Sequence, residues 1–306
     1  MTRAREALLA AARVVPHTDA DGLAAGAMAL RARGESADAA LLLGRGETPW
    51  TTELPPGAPA LLDWGVRELD RPAVIVDHHA PEARPREDQV LVSGHGEHPE
   101  TCTAALVRRL LPEQPAWLAA VGAVGDLGDR AFALPECAGA PKTAVRRLVP
   151  LVNAPRRGPD GQAVRTALAL LCDHADPREL LADRRVADLE TARAAWRAAW
   201  EQVRRTAPLV GDRVALVRFS SPFQLHPLAA TTWARRLAPR AVLAANDGYL
   251  PGRVNFSLRG GEGDLRALLQ QALPGEGGEF AHGHPRATGG SLEPEAFERL
   301  LSALGV

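Results

Sequence analysis

The sequence is poor in lysine and cysteine, and it has no excess of positive charge. Lys142 is the only lysine among 36 lysine and arginine residues, and the formal net charge is −1. A protein that coats duplex DNA needs a basic surface, so we expect no duplex DNA partner. Cys102, Cys137 and Cys172 show no pairing pattern, which predicts reduced thiols and a cytoplasmic location. No run of residues is long and apolar enough to span a bilayer, so we expect no membrane association.

The composition and the spacing of apolar runs predict a soluble α/β protein. Hydrophobic residues make up 46% of the chain and charged residues 24%, as in ordinary globular domains. Over residues 1–135, short apolar runs alternate with helical stretches, which is typical of a parallel sheet. Residues 136–207 lack strand patterns and predict a helical connector. A second alternation over residues 208–306 predicts a smaller α/β domain with a mixed sheet.

Hydrophobic periodicity and helix start signals predict the individual elements. The expected strands cover residues 39–43, 58–62, 73–76, 89–92, 214–219, 241–245 and 254–258. The expected helices cover residues 3–12, 22–33, 102–111, 116–124, 184–205, 227–237 and 265–273. Residues 283–290 are rich in glycine and are expected to form a loop.

Acidic residues and histidines follow three of the apolar runs in the first part of the chain. They are His17, Asp19 and Asp21 after the first run, Asp63 after the second, and Asp77, His78 and His79 after the third. The carboxyl ends of parallel strands lie at one edge of a sheet, where ligands bind. So many carboxylates cannot stay ionised together without a cation. The pattern therefore predicts a metal site, and Asp126, after the helix over 116–124, supplies a further acid.

The ligand types indicate which ions this site would hold. Carboxylates with some imidazole favour Mn²⁺ or Mg²⁺ over structural zinc, which takes more sulfur and nitrogen ligands. About six ligands are too many for one ion with open positions, and they suit two ions about 3.5–4 Å apart that share a carboxylate. Such a pair lowers the pKa of a shared water and stabilises both oxygens of an in-line displacement at phosphorus. We expect two divalent ions, Mn²⁺ ahead of Mg²⁺ or Co²⁺.

Six motifs, in order along the chain, resemble those of the DHH phosphoesterase superfamily, specifically its RecJ-like branch with a C-terminal DHH-associated domain. They are HTDADG at 17–22, LLDWG at 61–65, VDHHAP at 76–81, GDLGD at 125–129, VNAPRRG at 152–158 and HGHPRATG at 282–289. The resemblance implies a DHH catalytic domain over 1–135, a connector over 136–207 and a substrate-binding domain over 208–306. His282 stands where the family's last motif begins with glycine.

The resemblance also implies a role for particular residues. Asp63 is the expected bridging carboxylate, His79 would face the scissile phosphate, and Asp77 would orient the motif. The implied metal ligands are His17, Asp19, Asp21, Asp63, His78 and Asp126. The implied substrate-binding residues are Asn153 and Arg157 in the connector, with Arg259, Gly283, His284 and Gly289 in the last domain.

The leading functional hypothesis is a two-metal, Mn²⁺-dependent phosphoesterase that hydrolyses phosphodiester or phosphomonoester bonds of small nucleotides or short single-stranded oligonucleotides. The sequence shows no counterpart of the oligonucleotide-binding domain of full-length RecJ, so we expect no processive degradation of long strands. One alternative is a single-strand-specific 5′–3′ exonuclease resembling a minimal RecJ, which the VNAPRRG segment favours. Another is a non-catalytic nucleotide-binding module, which a broken ligand cluster would indicate. A soluble inorganic pyrophosphatase ranks lower because the second domain of those enzymes lacks the GGH-type loop.

Overall fold

The computed structural model describes residues 2–277 and 280–306, apart from the side chains of residues 282–284. The chain divides into two compact units. The first comprises Met1–Arg156 and Asp160–Arg193, and the second comprises Arg157–Pro159 and Ala194–Val306. Most residues of the expected connector thus pack with the first unit, while the three-domain division stays a prediction. Within the described residues, no helix is both long enough and apolar enough to cross a membrane.

The first unit contains one parallel sheet with the strand order β1-β2-β3-β4. Its strands are β1 (Arg13–Pro16), β2 (Pro59–Leu62), β3 (Val74–Asp77) and β4 (Val90–Ser93). Its helices are α1 (Thr2–Ala10), α2 (Ala20–Ala32), α3 (Thr103–Leu110), α4 (Ala116–Leu127), α5 (Lys142–Val152), α6 (Gly161–Asp173) and α7 (Pro177–Ala182). Helix α8 (Val186–Val203) begins in the first unit and ends in the second.

Both faces of the parallel sheet are covered, which explains why its central strands read as unbroken apolar runs. Val14, Leu62 and Val76 belong to a large core that includes α2, α3 and α4. Leu61 and Ile75, on the opposite face, belong to a smaller cluster. Side chains alternate between the two faces of a strand, so adjacent residues enter different cores. The expected parallel sheet is confirmed.

The second unit contains a six-stranded mixed sheet with the order β5-β6-β7-β8-β10-β9. Strands β6 and β7 pair in parallel, and the other neighbours pair antiparallel. The strands are β5 (Leu209–Val210), β6 (Val214–Phe219), β7 (Ala241–Asn246), β8 (Val254–Gly260), β9 (His282–His284) and β10 (Ala287–Leu292). The helices are α9 (His226–Arg236), α10 (Leu265–Ala272) and α11 (Pro294–Leu304). The expected smaller α/β domain with a mixed sheet is confirmed.

Two expected elements are wrong. No strand forms over 39–43, because a short 3₁₀ turn occupies Ala37–Ala39 and only Ala40 bridges to β1. The expected loop over 283–290 is instead the β9–β10 hairpin, and β10 continues the sheet by pairing with β8 over six residues. Glycine-rich composition hides a strand when main-chain hydrogen bonds, rather than side-chain burial, hold it in place. The sequence analysis also missed helix α11.

Candidate metal centre

The candidate site lies at the carboxyl ends of strands β1, β2 and β3. His17 follows β1, Asp63 follows β2, and His78 follows β3. The parallel hydrogen-bond ladder continues past the strand ends, since the His17 amide donates to Leu62 O at 2.9 Å and the Asp63 amide donates to Val76 O at 3.1 Å. The backbone register therefore brings the three side chains together, as expected for an open α/β sheet.

One group of possible ligands consists of His17, Asp19 and Asp63. Their ligand atoms lie within 4.8 Å of one another. His17 Nδ1 lies 2.9 Å from Asp19 Oδ2 and 3.6 Å from Asp63 Oδ2. Arg156 approaches the same Asp19 oxygen at 3.7 Å.

A second group consists of Asp21, His78 and Asp126, with ligand atoms again within 4.8 Å of one another. His78 Nε2 lies 3.2 Å from Asp126 Oδ2 and 3.9 Å from Asp21 Oδ2. The same nitrogen lies 3.5 Å from Asp63 Oδ1. Asp126 lies in the last turn of α4 rather than after the helix, because α4 extends to Leu127.

Asp63 connects the two groups through its two carboxylate oxygens. Its Oδ2 faces His17, and its Oδ1 faces His78. The side chain is almost fully buried, and Thr103 Oγ1 donates a hydrogen bond to Oδ1 at 2.9 Å. The backbone at Asp63 has φ of 70°, a left-handed conformation that Asp and Asn adopt more readily than other non-glycine residues. The local turn thus holds a carboxylate between two ligand groups.

Two helix N-termini fix the acids of the first motif. Asp19 is the N-cap of α2 and accepts a hydrogen bond from the Gly22 amide at 3.0 Å. Asp21, in the first turn of α2, is fully buried and accepts from the amides of Thr103 and Ala104 at 2.7 and 2.8 Å. The start of α2 thus places Asp19 beside His17 and Asp21 beside His78.

Two glycines allow the backbones around these acids to approach closely. A Cβ at Gly22 would lie 2.4 Å from the carbonyl oxygen of His17. A Cβ at Gly122, in α4, would lie 2.6 Å from Asp21 Oδ1 and 2.4 Å from the Ala104 Cβ. Helices α2, α3 and α4 therefore meet at Asp21 only because α4 has no side chain at that position.

The electrostatics of the cluster favour positive charge. Burial acts to lower the pKa of His17, but the carboxylates of Asp19 and Asp63 raise that pKa to about 10. Burial has the same effect on His78, and its contacts with Asp126 and Asp63 raise its pKa to about 11. Without metal, the two imidazoles are therefore protonated at neutral pH and offset part of the negative charge.

The carboxylates show the complementary effect. Burial, followed by the negative charges of Asp63 and Asp126, raises the pKa of Asp21 well above its ordinary value. Burial also raises the pKa of Asp126, with Asp63 adding to the effect and His78 opposing it. A divalent cation would remove this mutual repulsion and let the acids ionise together.

The donor set fits divalent cations. His17 Nδ1 and His78 Nε2 are buried and have no hydrogen-bond partner among the described residues. His17 Nδ1 lies 2.9 Å from a carboxylate oxygen, and His78 Nε2 lies 3.2 and 3.5 Å from two others. Each nitrogen could therefore bind the same ion as its neighbouring oxygens. Oxygen ligands with some imidazole suit Mn²⁺ and Mg²⁺. The predicted ligands His17, Asp19, Asp21, Asp63, His78 and Asp126 are thus all brought together.

Asp77 and His79 lie beside the cluster. Asp77 is fully buried at the end of β3 and accepts hydrogen bonds from the amides of Gly65 at 2.6 Å and His79 at 2.7 Å. Its Oδ1 lies 3.1 Å from His79 Nδ1. This contact with Asp77 is the main cause that raises the pKa of His79. The His79 side chain is about half exposed, so it is held at one end and accessible at the other.

The predicted connector residues lie in different units. Asn153, in the first unit, accepts a hydrogen bond from the Ala20 amide at 2.9 Å through its side-chain Oδ1, so this oxygen supports the start of α2. Arg157, in the second unit, places its guanidinium over the Trp196 ring at 5.2 Å. Its backbone carbonyl accepts from the Gln224 amide at 2.7 Å. Their role in substrate binding stays a prediction.

The predicted residues of the second unit lie on β8, β9 and β10. Arg259 Nη1 donates to the carbonyls of Leu258 at 3.0 Å and Thr288 at 2.8 Å. Gly289 pairs with Ser257 on β8. The backbones of Gly283 and His284 form β9, but the His284 side chain lies outside the described residues. Substrate binding by these residues also stays a prediction.

Three residues near the cluster were missed by the sequence analysis. Thr103 supports both Asp63 and Asp21, Arg156 faces Asp19, and Trp64 lines a cavity beside the cluster. Thr103 and Arg156 reach the site from distant parts of the chain, so no local pattern indicates them. Trp64 directly follows Asp63 and could have been found there.

The fold, in contrast to the sequence, has matches among known proteins. A scan against models of known protein families finds no match, and a search of curated proteins finds none either. The crystal structure of exonuclease RecJ bound to manganese covers 99% of this chain and 93% of its own, with a TM-score of 0.68 and 20% identity. RecJ from Thermus thermophilus in complex with Mn²⁺ has a TM-score of 0.68 and 18% identity, covering 99% of this chain and 54% of its own.

A further similarity is to the pGpG-specific phosphodiesterase PggH from Vibrio cholerae. Its TM-score is 0.53 with 17% identity, covering 95% of this chain and 97% of its own. The chain therefore has a RecJ-like α/β fold, and the resemblance drawn from the motifs is confirmed at the level of the fold. It spans about half the length of the Thermus RecJ chain.

Proposed function

We propose that this chain is a two-metal phosphoesterase that hydrolyses small nucleotides or short single-stranded oligonucleotides. The observation that carries the proposal is the position of Asp63, whose two oxygens face two separate groups of ligands. A carboxylate so placed suits the bridge between two ions. The RecJ structures that share the fold contain Mn²⁺ or Mg²⁺, and we expect Mn²⁺ here.

When bound, a pair of divalent ions supplies Lewis acidity, which lowers the pKa of water and offsets the charge on the oxygens around phosphorus. The chain's own residues hold the ligands in fixed positions. Thr103 orients Asp63, and the amides at the start of α3 orient Asp21. Such hydrogen bonds to ligating carboxylates tune and orient a metal site.

His79 is proposed to contact the phosphate. Asp77 binds its Nδ1, fixes the ring and raises its pKa, so the imidazole is positively charged over a wider pH range. A charged imidazole beside the reacting phosphate stabilises the negative charge that develops there. Its exposed side chain suits a group that must reach substrate.

The second unit is proposed to contribute residues to substrate binding. Arg259 donates to two neutral carbonyls and has no carboxylate partner among the described residues. Burial lowers the pKa of its guanidinium, so an anion would relieve an uncompensated charge. Asn153, Arg157, Gly283, His284 and Gly289 are the further substrate-binding residues that the motifs imply.

The test is a hydrolysis screen with the purified protein supplemented with Mn²⁺. Substrates are linear and cyclic dinucleotides, 3′-phosphoadenosine 5′-phosphate and a length series of 5′-labelled single strands, with products separated by chromatography. We expect turnover of the short substrates. Faster cleavage of twenty-mers than of dimers would instead favour the single-strand 5′–3′ exonuclease, and binding without turnover would favour the non-catalytic module.

Asp63→Asn is the informative variant. Asparagine tolerates the left-handed backbone at this position, whereas Asp63→Ala would add backbone strain. We expect turnover to fall at least about 10³-fold, or about 4 kcal/mol in activation free energy. Asp129→Asn is the matched control because Asp129, which shares the GDLGD motif with the proposed ligand Asp126, is exposed and pairs with Arg146 at 2.9 Å. Equal activity of Asp63→Asn and the wild type would contradict the mechanism.

A further inference from the structure

A cavity of about 280 Å³ lies beside the candidate metal centre, entirely within the first unit. It is lined by His17 and Asp63 of the candidate centre and by Arg67 and Glu82, which form an ion pair at 3.2 Å. Apart from His17, its lining comes from the segments that follow β2 and β3. None of the motif-derived roles explains it.

Trp64 gives this cavity a flat aromatic wall. The indole is held in place at two points: Nε1 donates to the Val15 carbonyl at 3.1 Å, and the ring meets the His17 ring edge to face with 4.9 Å between centroids. The side chain packs against a hydrophobic cluster yet stays partly exposed. A fixed, partly exposed indole is a surface on which a planar ring can stack without further ordering cost.

The neighbours of Trp64 narrow the class of ligand. His79, at the same cavity, is the residue proposed to contact phosphate, and Asp63 is a proposed metal ligand. A molecule whose phosphate lies at the metal centre would therefore place one of its substituents in this cavity. The volume is just below the range of about 300–1,000 Å³ for pockets that enclose drug-sized ligands, which suits one nucleoside and not two.

We propose that this cavity binds one nucleoside of the substrate, with its base stacked on Trp64. The proposal rests on the proposed phosphoesterase function and adds a base-binding subsite to it. Base–aromatic stacking contributes about 1–3 kcal/mol per base and tolerates any base, since every base has a π face. Trp64 would thereby favour nucleotides over simple phosphate esters.

The test compares two ligands that differ only in the base, guanosine 5′-monophosphate and ribose 5-phosphate, by calorimetry with Mn²⁺ present. Trp64→Ala should weaken guanosine monophosphate binding about tenfold or more and change ribose 5-phosphate binding less than twofold. Trp64→Phe should retain most of the affinity. Trp50→Ala is the matched control, because Trp50 packs against the same cluster but does not line the cavity, and it should change neither affinity.

A second readout reports contact directly. Guanosine monophosphate should quench tryptophan fluorescence in the wild type, and the quenching should largely disappear in Trp64→Phe although calorimetry still shows binding. The proposal is overturned if Trp64→Ala weakens both ligands equally or affects neither. It is also overturned if quenching persists in Trp64→Phe.

The subsite and the proposed function can fail separately. If the wild type hydrolyses dinucleotides but Trp64→Ala leaves their KM unchanged, the function stands and the subsite is wrong. If base-dependent binding requires Trp64 but no substrate in the hydrolysis screen is cleaved, the subsite stands and the function is wrong.

Discussion

The two units surround their ionisable groups differently. In the first unit, four carboxylates lie at one edge of a parallel sheet, and they raise the pKa of the partly buried imidazoles of His17 and His78. In the second unit, Arg259 is partly buried and His226 is buried, and neither has a carboxylate partner among the described residues. The surroundings in the first unit therefore favour positive charge, whereas burial in the second unit penalises it.

The difference follows from how each sheet is built. Parallel strands end at a common edge, so Asp63 and His78 need only follow adjacent strands to meet. In the mixed sheet, alternate residues of β8 share one face, and Arg259 lies on the face opposite the apolar residues Phe256 and Leu258. The two units should therefore respond to different treatments, the second unit to acid and the first unit to divalent metal.

The largest expected effect is a loss of stability of the second unit in acid. His226 is the first residue of α9, and burial, with a smaller contribution from Arg259, lowers its pKa to about 3. Between pH 6.5 and 3 the unfolded chain binds the proton that the folded chain excludes, so stability falls as the pH is lowered through this window. At pH 4 the loss from this group should be about 3 kcal/mol.

The measurement is urea unfolding at several pH values, monitored with a spectroscopic probe in the second unit. His226→Gln should flatten the acid dependence, whereas His95→Gln, at an exposed position of the first unit, should leave it unchanged. The informative quantity is the slope of unfolding free energy against pH, because His226→Gln also changes packing and so shifts the free energy at every pH. Equal slopes in the wild type and His226→Gln would show that His226 does not cause the acid dependence of stability.

The next largest effect is stabilisation of the first unit by Mn²⁺. A ligand at about 100 times its Kd stabilises the folded state by about 2.7 kcal/mol, so Mn²⁺ should slow amide exchange in α2 and α3 by about 100-fold. Peptides from β8 and β10 should be unaffected by the metal. Asp63→Asn should lose most of the protection. Equal protection of both units by Mn²⁺ would show that the metal response is not confined to the carboxylate cluster.

The sequence predicts the acidic and histidine cluster of the first unit better than it predicts the buried groups of the second unit. Asp63 and His78 are predictable because each follows an apolar run that is buried on both faces. The parallel register of β2 and β3 then places the two residues side by side. Thr103 is not predictable, since its hydroxyl reaches Asp63 across 40 residues of sequence. Arg156 reaches Asp19 from still farther along the chain. Packing between helices, which no local periodicity encodes, brings both to the site.

The second unit shows a different limit. The glycine-rich hairpin of β9 and β10 was predicted to be a loop because its residues offer little side-chain burial, although β10 is fully hydrogen-bonded to β8. His226 carried no signal at all, since a lone histidine before a proline resembles an ordinary helix start. Its burial depends on how α9 packs over β7 and β8, which is tertiary information.

A smaller effect tests how the first unit assembles its cluster. In Gly122→Ala, the new Cβ would collide with Asp21 Oδ1 and with Ala104, so we expect a loss of about 2 kcal/mol in unfolding free energy and weaker Mn²⁺ binding. Gly161→Ala is the control, because a Cβ there meets nothing within 4 Å. Unfolding by urea and Mn²⁺ titration measure the two effects. Unchanged Mn²⁺ affinity in Gly122→Ala would mean that Asp21 is not a ligand whose position matters.

The smallest effect isolates one hydrogen bond to the carboxylate that links the two ligand groups. Thr103→Val removes the hydroxyl that donates to Asp63 but keeps the backbone amide that donates to Asp21. Loss of such a partner lowers metal affinity by about 10–100-fold, and we expect the lower end, about 1.4 kcal/mol.

Thr231→Val is the matched control, because that hydroxyl in α9 donates only to the Pro227 carbonyl, at 2.9 Å, and serves no carboxylate. Mn²⁺ titration calorimetry should separate the two variants by about tenfold. If both bind Mn²⁺ as the wild type does, the orientation of Asp63 must come from its left-handed turn alone. The turn would then hold the Asp63 carboxylate without help from α3, and the contribution of helix packing to the cluster would be limited to Asp21.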